Sequence, residues 1–192
     1  MIGIRPARVE DAAAIGAVHV SAWRSTYADL LPAGYLSGLS ALRQAAQYHA
    51  AIRGAARRPV GVHVAIAMTG PLQRARVVGF VTATPAPREP SPLADGEIET
   101  LYVLDDWRDQ GIGRRLLRAA AQHLREQGAT SAAVWVLRDN PGRWFYARVG
   151  GRHVADSTTE VAGHTIPQSG YRWDTIGTLA DMAFTPRRNE AD

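Results

Sequence analysis

The segment Gly96–Gln127 constrains the fold of this 192-residue chain more than any other part of the sequence. It begins with a predicted strand, Gly96–Leu104, and ends with the clearest amphipathic helix of the chain, Gly111–Gln127. Gly128 follows where a helix C-cap is expected. The apolar face of this helix consists of Ile112, Leu116, Leu117, Ala120 and Leu124. Burial of that face against a sheet predicts an α/β domain.

The strand and the helix are connected through the glycine-containing turn Arg108–Gly113. Such a turn is typical of a phosphate site, because glycine lets the backbone approach the oxygens and the first N–H groups of the helix converge there. Three known types of phosphate-binding loop contain such a turn. The dinucleotide-binding fingerprint does not match, because it requires a third glycine where Leu116 stands. The Walker loop does not match either, because it requires a lysine and all 22 basic residues are arginine. The third type, Arg/Gln-x-x-Gly-x-Gly/Ala, holds the pyrophosphate of coenzyme A.

The remaining sequence predicts further strands and helices in a mixed α/β order, with one domain over residues 1–174 and a C-terminal tail over 175–192. The predicted strands are Ile2–Arg5, Gly61–Met68, Val77–Thr84, Ala132–Leu137, Arg152–Thr158 and Gly170–Asp174. The predicted helices are Ala12–Trp23, a region after Pro32 with Leu39, Leu42, Ala46 and Ala50 at helical spacing, and Pro141–Val149. Four prolines make Pro85–Asp95 a loop, and the tail is expected to fray from Thr185.

Composition excludes several classes of function. The chain has no cysteine, which excludes disulfides, thiolate metal sites and cysteine nucleophiles. Its six histidines show no metal-ligand spacing, so no metal is expected, and His123 lies on the polar side of its helix, where we expect it to be solvated. A net charge of +4 without a basic stripe argues against nucleic acid as a partner.

No segment resembles a membrane span or a targeting signal. Apolar runs stay short of 18 residues, so we expect no membrane association. Arg5, Glu10 and Asp11 are unlike the start of a signal peptide. A cytoplasmic location is therefore the expectation.

Arg108, Gly111 and Gly113 resemble the acyl-CoA signature of the GNAT superfamily of N-acetyltransferases. The strand segment Leu101–Val103 stands where that family's strand pairs with pantetheine. The segment Asn140–Gly150 is similar to the family's second motif, usually written Asn-x-x-Ala-x-x-Phe-Tyr followed by Gly-Phe. The resemblance covers residues 2–174 and implies a single-domain, mixed and mostly antiparallel sheet flanked by helices, with a splayed central strand pair.

Three residues depart from the family pattern. Asp109 stands where glycine is frequent, Asp105 where proline is frequent, and Gly151 where the pattern has phenylalanine. A carboxylate at residue 109 is compatible with a phosphate site only if it points outward, although aspartate does tolerate unusual backbone angles. None of the three changes removes a group that the reaction requires.

The resemblance implies a set of residues for binding acetyl-CoA. They are Leu101, Tyr102, Val103, Arg108, Asp109, Gln110, Gly111, Ile112, Gly113, Arg114 and Asn140. Backbone N–H groups from Gln110 to Arg114 would bind the pyrophosphate, and Arg114, Arg115 or Arg118 would meet the 3′-phosphate. The thioester would lie between the splayed strands, where a backbone N–H polarises its carbonyl.

Tyr146 is the implied proton donor to the departing thiolate, because a phenol is protonated at neutral pH. Glu97 and Glu99 are the candidates for the base, since residues i and i+2 of a strand share one face. Trp23, Tyr27 and Tyr35 lie where the family places its acceptor pocket. Each has a structural alternative: a core aromatic at Tyr146, solvated strand residues at the two glutamates, and helix-packing aromatics at the other three.

The resulting prediction is an acyl-CoA-dependent N-acetyltransferase. Direct attack of a primary amine in a ternary complex is expected, because no cysteine can carry the acyl group and no serine lies in a recognisable nucleophile setting. The acceptor is either a small-molecule amine or a protein amino group. A catalytically weak acyl-CoA-binding regulatory module is the alternative. A homodimer paired through an exposed strand at Gly170–Asp174 is a further expectation from the family.

Overall fold

The computed structural model describes residues 2–54, 59–71, 74–85 and 93–182. Most of the predicted proline-rich loop at 85–95 and the predicted fraying from Thr185 lie outside these residues. The strands are β1 Ile2–Pro6, β2 Gly61–Thr69, β3 Arg74–Pro85, β4 Gly96–Val103, β5 Ala132–Leu137, β6 Arg152–Val161 and β7 His164–Trp173. The helices are α1 Ala12–Thr26, α2 Ala33–Gly38, α3 Ala41–Gly54, α4 Ile112–Glu126, α5 Trp144–Arg148 and α6 Gly177–Ala180. Single 3-10 turns occur at Val9–Asp11, Asp105–Trp107 and Pro141–Arg143.

The described strands form one seven-stranded sheet in the order β1-β2-β3-β4-β5-β7-β6. Every pairing is antiparallel except that of β4 with β5, which is parallel. The parallel pairing consists of Gly96 opposite Ala132 and Glu97 opposite Ala133, after which the two strands diverge. The predicted mixed, mostly antiparallel sheet with a splayed central pair is therefore confirmed.

Strand β7 is not an edge of the sheet, which corrects the prediction that Gly170–Asp174 is exposed for pairing with a second chain. Gly170 pairs with Trp135 of β5 on one side and with Ala155 of β6 on the other. The edge on this side of the sheet is β6. The hairpin that carries both strands is also longer than predicted, because it turns at Ala162 and Gly163.

The start of the parallel pair is fixed by the carboxylate of Asp95. One of its oxygens accepts hydrogen bonds from Thr130 N at 3.1 Å, Thr130 Oγ1 at 2.5 Å and Ser131 N at 3.2 Å. Ser131 Oγ in turn accepts from Asp95 N at 3.0 Å. These bonds also lower the pKa of Asp95, because they favour the ionised carboxylate. They hold the first residues of β4 and β5 together at the point from which the strands diverge.

Helix α4 covers one face of the sheet, as its apolar pattern predicts. Leu116, Leu117, Ala120 and Leu124 are fully buried, and the helix packs against β2, β3 and β4. Gly128, with φ +87, follows the helix in the left-handed conformation expected of a C-cap glycine. The polar side of this helix differs from the prediction at His123. Its Nε2 lies 2.9 Å from the carbonyl oxygen of Pro59, and its ring fills the space beside Gly61, so the side chain is half-buried and packed rather than fully solvated.

Helices α1 and α3 cover the other face. Gly16 lies where they cross, since a Cβ there would stand 2.5 Å from Ala41 O and 2.7 Å from Ala45 N. This contact turns Ala45 and the buried Tyr48 inward and leaves Leu42 82% exposed. The predicted apolar stripe through Leu42, Ala46 and Ala50 is therefore wrong. The small residues that make the close crossing possible carry little hydrophobic signal.

The packed structure continues past residue 174, where we expected the domain to end. Leu179 and Ala180 of α6 are fully buried against α4, and Ile176 is nearly so. The carbonyl oxygen of Ala180 accepts hydrogen bonds from Arg118 and Gln122. No helix within the described ranges is long and apolar enough to cross a membrane.

Candidate active site

The diverging strands open onto a cleft of about 1060 Å³ between the second half of β4, the start of α4 and helix α5. All eleven residues predicted to bind the acyl donor line this cleft, together with Tyr146. The lining residues that were not predicted are Ala22, Thr26, Trp107, Pro141, Gly142, Phe145, Arg148 and Val149. The structure thus brings the two sequence motifs, of which the first ends at Gly113 and the second begins 27 positions later at Asn140, into one concave surface.

The turn before α4 adopts a conformation suited to binding an anion. Gly111 is the N-cap residue at φ +74, and it supplies no capping side chain to the first N–H groups of the helix. Asp109 also has a positive φ of 59, which aspartate tolerates better than most residues. The Asp109 side chain is exposed, and Gln110 Nε2 donates to Asp106 O at 3.2 Å. The helix therefore presents unpaired N–H groups and the positive end of its dipole to the cleft.

The arginines near this turn have different environments. Arg108 forms an ion pair with Asp105 at 2.7 Å and donates to Thr26 Oγ1 at 3.0 Å, which ties the turn to the end of α1. Arg115 donates to Ile2 O, and Arg118 donates to Ala180 O, so both side chains are engaged away from the cleft. Of the three arginines predicted to meet the 3′-phosphate, Arg114 is the one that lines the cleft.

Strand β4 presents different side chains to the two faces of the sheet. Leu101 and Val103 pack into the core beneath α4, whereas Tyr102 packs on the α1 side. The backbone groups of β4 that point toward β5 have no strand partner beyond Glu97. Such unpaired N–H and C=O groups are available to an extended ligand or to a carbonyl oxygen that gains negative charge.

The aromatic residues predicted for an acceptor pocket form a cluster behind the cleft. Trp23 Nε1 donates to the hydroxyl of Tyr102 at 2.8 Å, and the Trp23 and Tyr27 rings meet edge to face at 5.0 Å. Tyr35 lies 6.2 Å from Trp23, ring centre to ring centre, beside a buried apolar group that includes Tyr27 and Leu31. None of the three lines the cleft directly. They support its wall through Tyr102 and Asn140.

Asn140 joins the second motif to that cluster. Its Oδ1 accepts from Gly142 N at 2.7 Å and thereby caps the turn Pro141–Arg143, while its Nδ2 donates to the hydroxyl of Tyr27 at 3.0 Å. One Nδ2 hydrogen remains for a ligand. Asn140 and Tyr146 are six positions apart, one fewer than in the family pattern quoted above, and the capped 3-10 turn spans this shorter connection.

Tyr146 is 8% exposed and lies among the rings of Phe145, Tyr171 and Trp173. Its hydroxyl has no hydrogen-bond partner among the described residues, although the residue lines the cleft. Burial raises the pKa of the phenol above its usual value of 10, and the proximity of Tyr27 adds to this shift. The group is therefore protonated at neutral pH and able to donate. The ring of Tyr146 is thus packed as a core aromatic, and the residue also borders the cleft; its role as proton donor stays a prediction.

Glu97 and Glu99 lie on the α1 face of β4 and do not line the cleft. Glu97 is half-buried, and burial, followed by the charge of Glu99, raises its pKa. Glu99 is the extra residue of a β-bulge, because Thr100 pairs with Thr82 and Ile98 with Ala83. Its Oε2 accepts from Thr82 Oγ1 at 3.4 Å. Glu97 is therefore the glutamate whose environment favours proton uptake.

A buried polar chain beside the bulge was not predicted. The hydroxyls of Thr82 and Thr100 lie 2.7 Å apart, and the hydroxyl of Tyr48 lies 2.7 Å from Nδ1 of the buried His19. Thr100 lies close enough to Tyr48 to lower the pKa of its hydroxyl against the larger, opposing effect of burial, so the two pairs adjoin each other. Burial lowers the pKa of His19 to about 4, so the ring is neutral at pH 7. The available signal was a histidine and a threonine in otherwise apolar stripes of α1 and β3.

Comparison with known proteins shows to which family the chain belongs. The model of the acetyltransferase (GNAT) family matches residues 23–150, two thirds of the chain. The chain belongs to the GNAT family. This acetyltransferase is 32% identical to the N-acetyltransferase YuaI of Bacillus subtilis over 182 residues, which cover 95% of this chain and 98% of YuaI. An enzyme of this family is an acyl-CoA-dependent acetyltransferase, as the motifs predicted.

Solved structures of GNAT proteins share its fold at low sequence identity. The PaiA N-acetyltransferase of Thermoplasma acidophilum, solved with coenzyme A, is 19% identical with a TM-score of 0.67 and covers 88% of this chain and 98% of its own. YncA of Salmonella typhimurium, solved with acetyl-CoA, is 15% identical with a TM-score of 0.66 and covers 97% and 98%. No group of three or more potential metal ligands is found in the described part of this acetyltransferase.

Proposed function

We propose that this acetyltransferase transfers an acetyl group from acetyl-CoA to a primary amine by direct attack in a ternary complex. One observation carries the proposal: a single cleft joins an anion-binding helix N-terminus, the unpaired edge of β4 and the residue Tyr146. The first feature suits a pyrophosphate, the second an extended pantetheine arm, and the third a leaving thiolate. The similarity to proteins solved with coenzyme A and acetyl-CoA supports the same donor here.

The donor would lie along the unpaired edge of β4, with its pyrophosphate at the N–H groups of Gly111–Arg114. Asn140 has one amide hydrogen left for the pantetheine arm. The thioester would then occupy the gap between β4 and β5, where a backbone N–H of β4 is free to donate to the carbonyl oxygen. This hydrogen bond would strengthen as negative charge develops on that oxygen during attack.

In the transfer itself, the nitrogen lone pair attacks the thioester carbon, the C–N bond forms, and the C–S bond breaks. Tyr146 would give its hydroxyl proton to the departing sulfur, because its raised pKa keeps it protonated until a thiolate develops. The amine must lose a proton in the same reaction. Glu97 is the acceptor that we propose, acting through water since it does not line the cleft.

The acceptor is expected to approach from the α1 side, where Ala22 and Thr26 border the cleft. Both a small amine and a protein amino group satisfy the chemistry. A direct transfer is favoured over an acyl-enzyme because the chain has no cysteine. The protonated phenol at the cleft also favours turnover over the alternative of a regulatory acyl-CoA-binding module.

Calorimetric titration with acetyl-CoA, followed by a thiol-release assay with a panel of amines, tests the proposal. We expect micromolar binding and amine-dependent release of coenzyme A. Tyr146→Phe should lower turnover at least tenfold with little change in acetyl-CoA affinity. Glu97→Gln should lower turnover and remove the acid limb of the pH–rate profile, and Glu99→Gln is the matched control. Failure to bind acetyl-CoA would refute the donor assignment. Binding without transfer to any amine would support the regulatory alternative.

A further inference from the structure

The C-terminal end of α1 forms hydrogen bonds to both sides of the cleft. On the β4 side, Trp23 Nε1 donates to the hydroxyl of Tyr102 at 2.8 Å. On the β5 side, the hydroxyl of Tyr27 accepts from Nδ2 of Asn140, in the turn that follows β5, at 3.0 Å. Because β4 and β5 pair with each other only where they begin, these bonds through α1 help to hold the two sides of the cleft at a fixed separation.

Tyr27 is held in one position where it meets Asn140. The residue is 5% exposed, and its ring meets the ring of Trp23 edge to face at 5.0 Å. The apolar side chains that belong to the same cluster include Leu31, Leu36, Val161 and Ile166. Burial raises the pKa of the Tyr27 hydroxyl, and the hydrogen bond from Asn140 offsets only part of this shift. At pH 7 the residue therefore presents a neutral, fixed oxygen to Asn140.

The amide of Asn140 is consequently fixed at both of its ends. Oδ1 accepts from Gly142 N at 2.7 Å, and a backbone N–H can only donate, so this bond fixes which end of the amide carries the oxygen. Nδ2 donates one hydrogen to Tyr27, and its other hydrogen has no partner within the described residues. Rotation of an asparagine amide about its Cβ–Cγ bond is otherwise only weakly restricted. Asn140 lines the cleft and Tyr27 does not, so an effect of Tyr27 on a ligand must pass through its neighbours.

We infer that Tyr27 is a positioning residue for the donor: by accepting one hydrogen of the Asn140 amide, it directs the other toward the pantetheine arm of acetyl-CoA. The inference rests on the proposed function. Pantetheine contains two amide carbonyl oxygens, and either can accept such a hydrogen bond. The inference connects Tyr27 to donor binding, whereas the sequence-based expectation placed it in the acceptor pocket.

The test is calorimetric titration of the wild-type enzyme, Tyr27→Phe, Asn140→Ala and the double variant with two ligands. One ligand is acetyl-CoA, and the other is adenosine 3′,5′-bisphosphate, which lacks pantetheine. Tyr27→Phe keeps the buried ring and should weaken acetyl-CoA binding about fivefold while changing bisphosphate binding less than twofold. Asn140→Ala should weaken acetyl-CoA binding at least as much. The double variant should bind acetyl-CoA as Asn140→Ala does, because Tyr27 acts through that amide.

Tyr48→Phe is the matched control, because it also removes a buried phenolic hydroxyl and a side-chain hydrogen bond, the one of 2.7 Å to Nδ1 of His19. Tyr48 does not line the cleft, so this variant should bind both ligands as the wild type does. The thermal midpoint of each variant excludes unfolding as the cause of weaker binding.

The outcomes separate the inference from the function on which it rests. Unchanged acetyl-CoA affinity in Tyr27→Phe, equal weakening of both ligands, or a further loss when Tyr27→Phe is added to Asn140→Ala would each refute the positioning role. In all three cases the wild type still binds acetyl-CoA, and the donor assignment stands. If the wild type does not bind acetyl-CoA, the proposed function fails together with the inference.

Discussion

Two histidines, the buried His19 and the half-buried His63, should make the stability of this enzyme fall steeply in mild acid. His19 of α1 is 9% exposed, and burial lowers its pKa to about 4. His63 on β2 has its pKa lowered to about 4 by burial and by the neighbouring His123, against an opposing effect of Glu126. Nδ1 of His63 is buried and has no partner within the described residues. Both rings are therefore held neutral in the folded state.

The sign and size of the effect follow from the difference between folded and unfolded pKa values. In the unfolded chain a histidine binds its proton near pH 6.5, whereas these two bind near pH 4 in the folded protein. Between those values the unfolded state carries more protons, so the free energy of unfolding falls as the pH falls. Each histidine contributes a loss on the order of 3 kcal/mol over this window. Two such losses are comparable with the whole stability of a typical domain.

Urea unfolding measured from pH 7.5 to 4.5 checks this prediction. His19→Gln and His63→Gln should each remove about half of the pH dependence, whatever they do to stability at pH 7.5. His164→Gln, which changes an exposed histidine of β7, is the control and should keep the wild-type slope. A His19→Gln variant whose free energy of unfolding falls with pH as steeply as that of the wild type would refute this role of His19. Below about pH 4 a further loss of the free energy of unfolding is expected, because protonation of Asp11 removes the ion pair with Arg5 that lowers its pKa.

Two further predictions concern the proposed donor site and the strand pair that opens onto it. Gly113→Glu should weaken acetyl-CoA binding at least tenfold more than Gly113→Gln, because only the carboxylate repels a pyrophosphate bound nearby. Gly113→Ala should bind acetyl-CoA almost as the wild type does. Equal affinities of the Glu and Gln variants in a calorimetric titration would contradict the phosphate assignment. Asp95→Ala should lower the free energy of unfolding by roughly 1–2 kcal/mol in a denaturant titration, because three hydrogen bonds that join the starts of β4 and β5 are lost. Asp95→Asn, which keeps an acceptor oxygen, should cost less, and equal loss in the two variants would argue against this role.

The local elements with strong sequence signals were predictable. Helix α4 follows from an apolar repeat ending in a C-cap glycine, and the left-handed turn before it follows from Gly111 between a strand and that helix. Both features depend on residues close together in the chain, so tertiary packing reinforces the local preference. The prediction that Asn140 and Tyr146 line the cleft depended on the resemblance to the family, because nothing in their spacing alone indicates that they lie near the turn before α4.

The predictions that failed concern contacts between elements that are distant in sequence. The close crossing at Gly16 determines which face of α3 points inward, and the periodicity of Leu42, Ala46 and Ala50 does not indicate where that crossing lies. His123 was expected in solvent because its partner Gly61 is distant in sequence. Arg148 was missed because the direction of a side chain at the end of a five-residue helix depends on how Phe145 docks that helix.

The diverging strands have a consequence for how an enzyme of this kind can change its substrate. The groups that β4 exposes toward β5 are main-chain N–H and C=O groups, which every residue type supplies except proline, which lacks the N–H. The side chains of the same strand, such as Thr100 and Tyr102, point to the α1 face. Under the proposed function, substitutions there would alter the acceptor side over evolutionary time, while the donor side, built from backbone, would retain its chemistry.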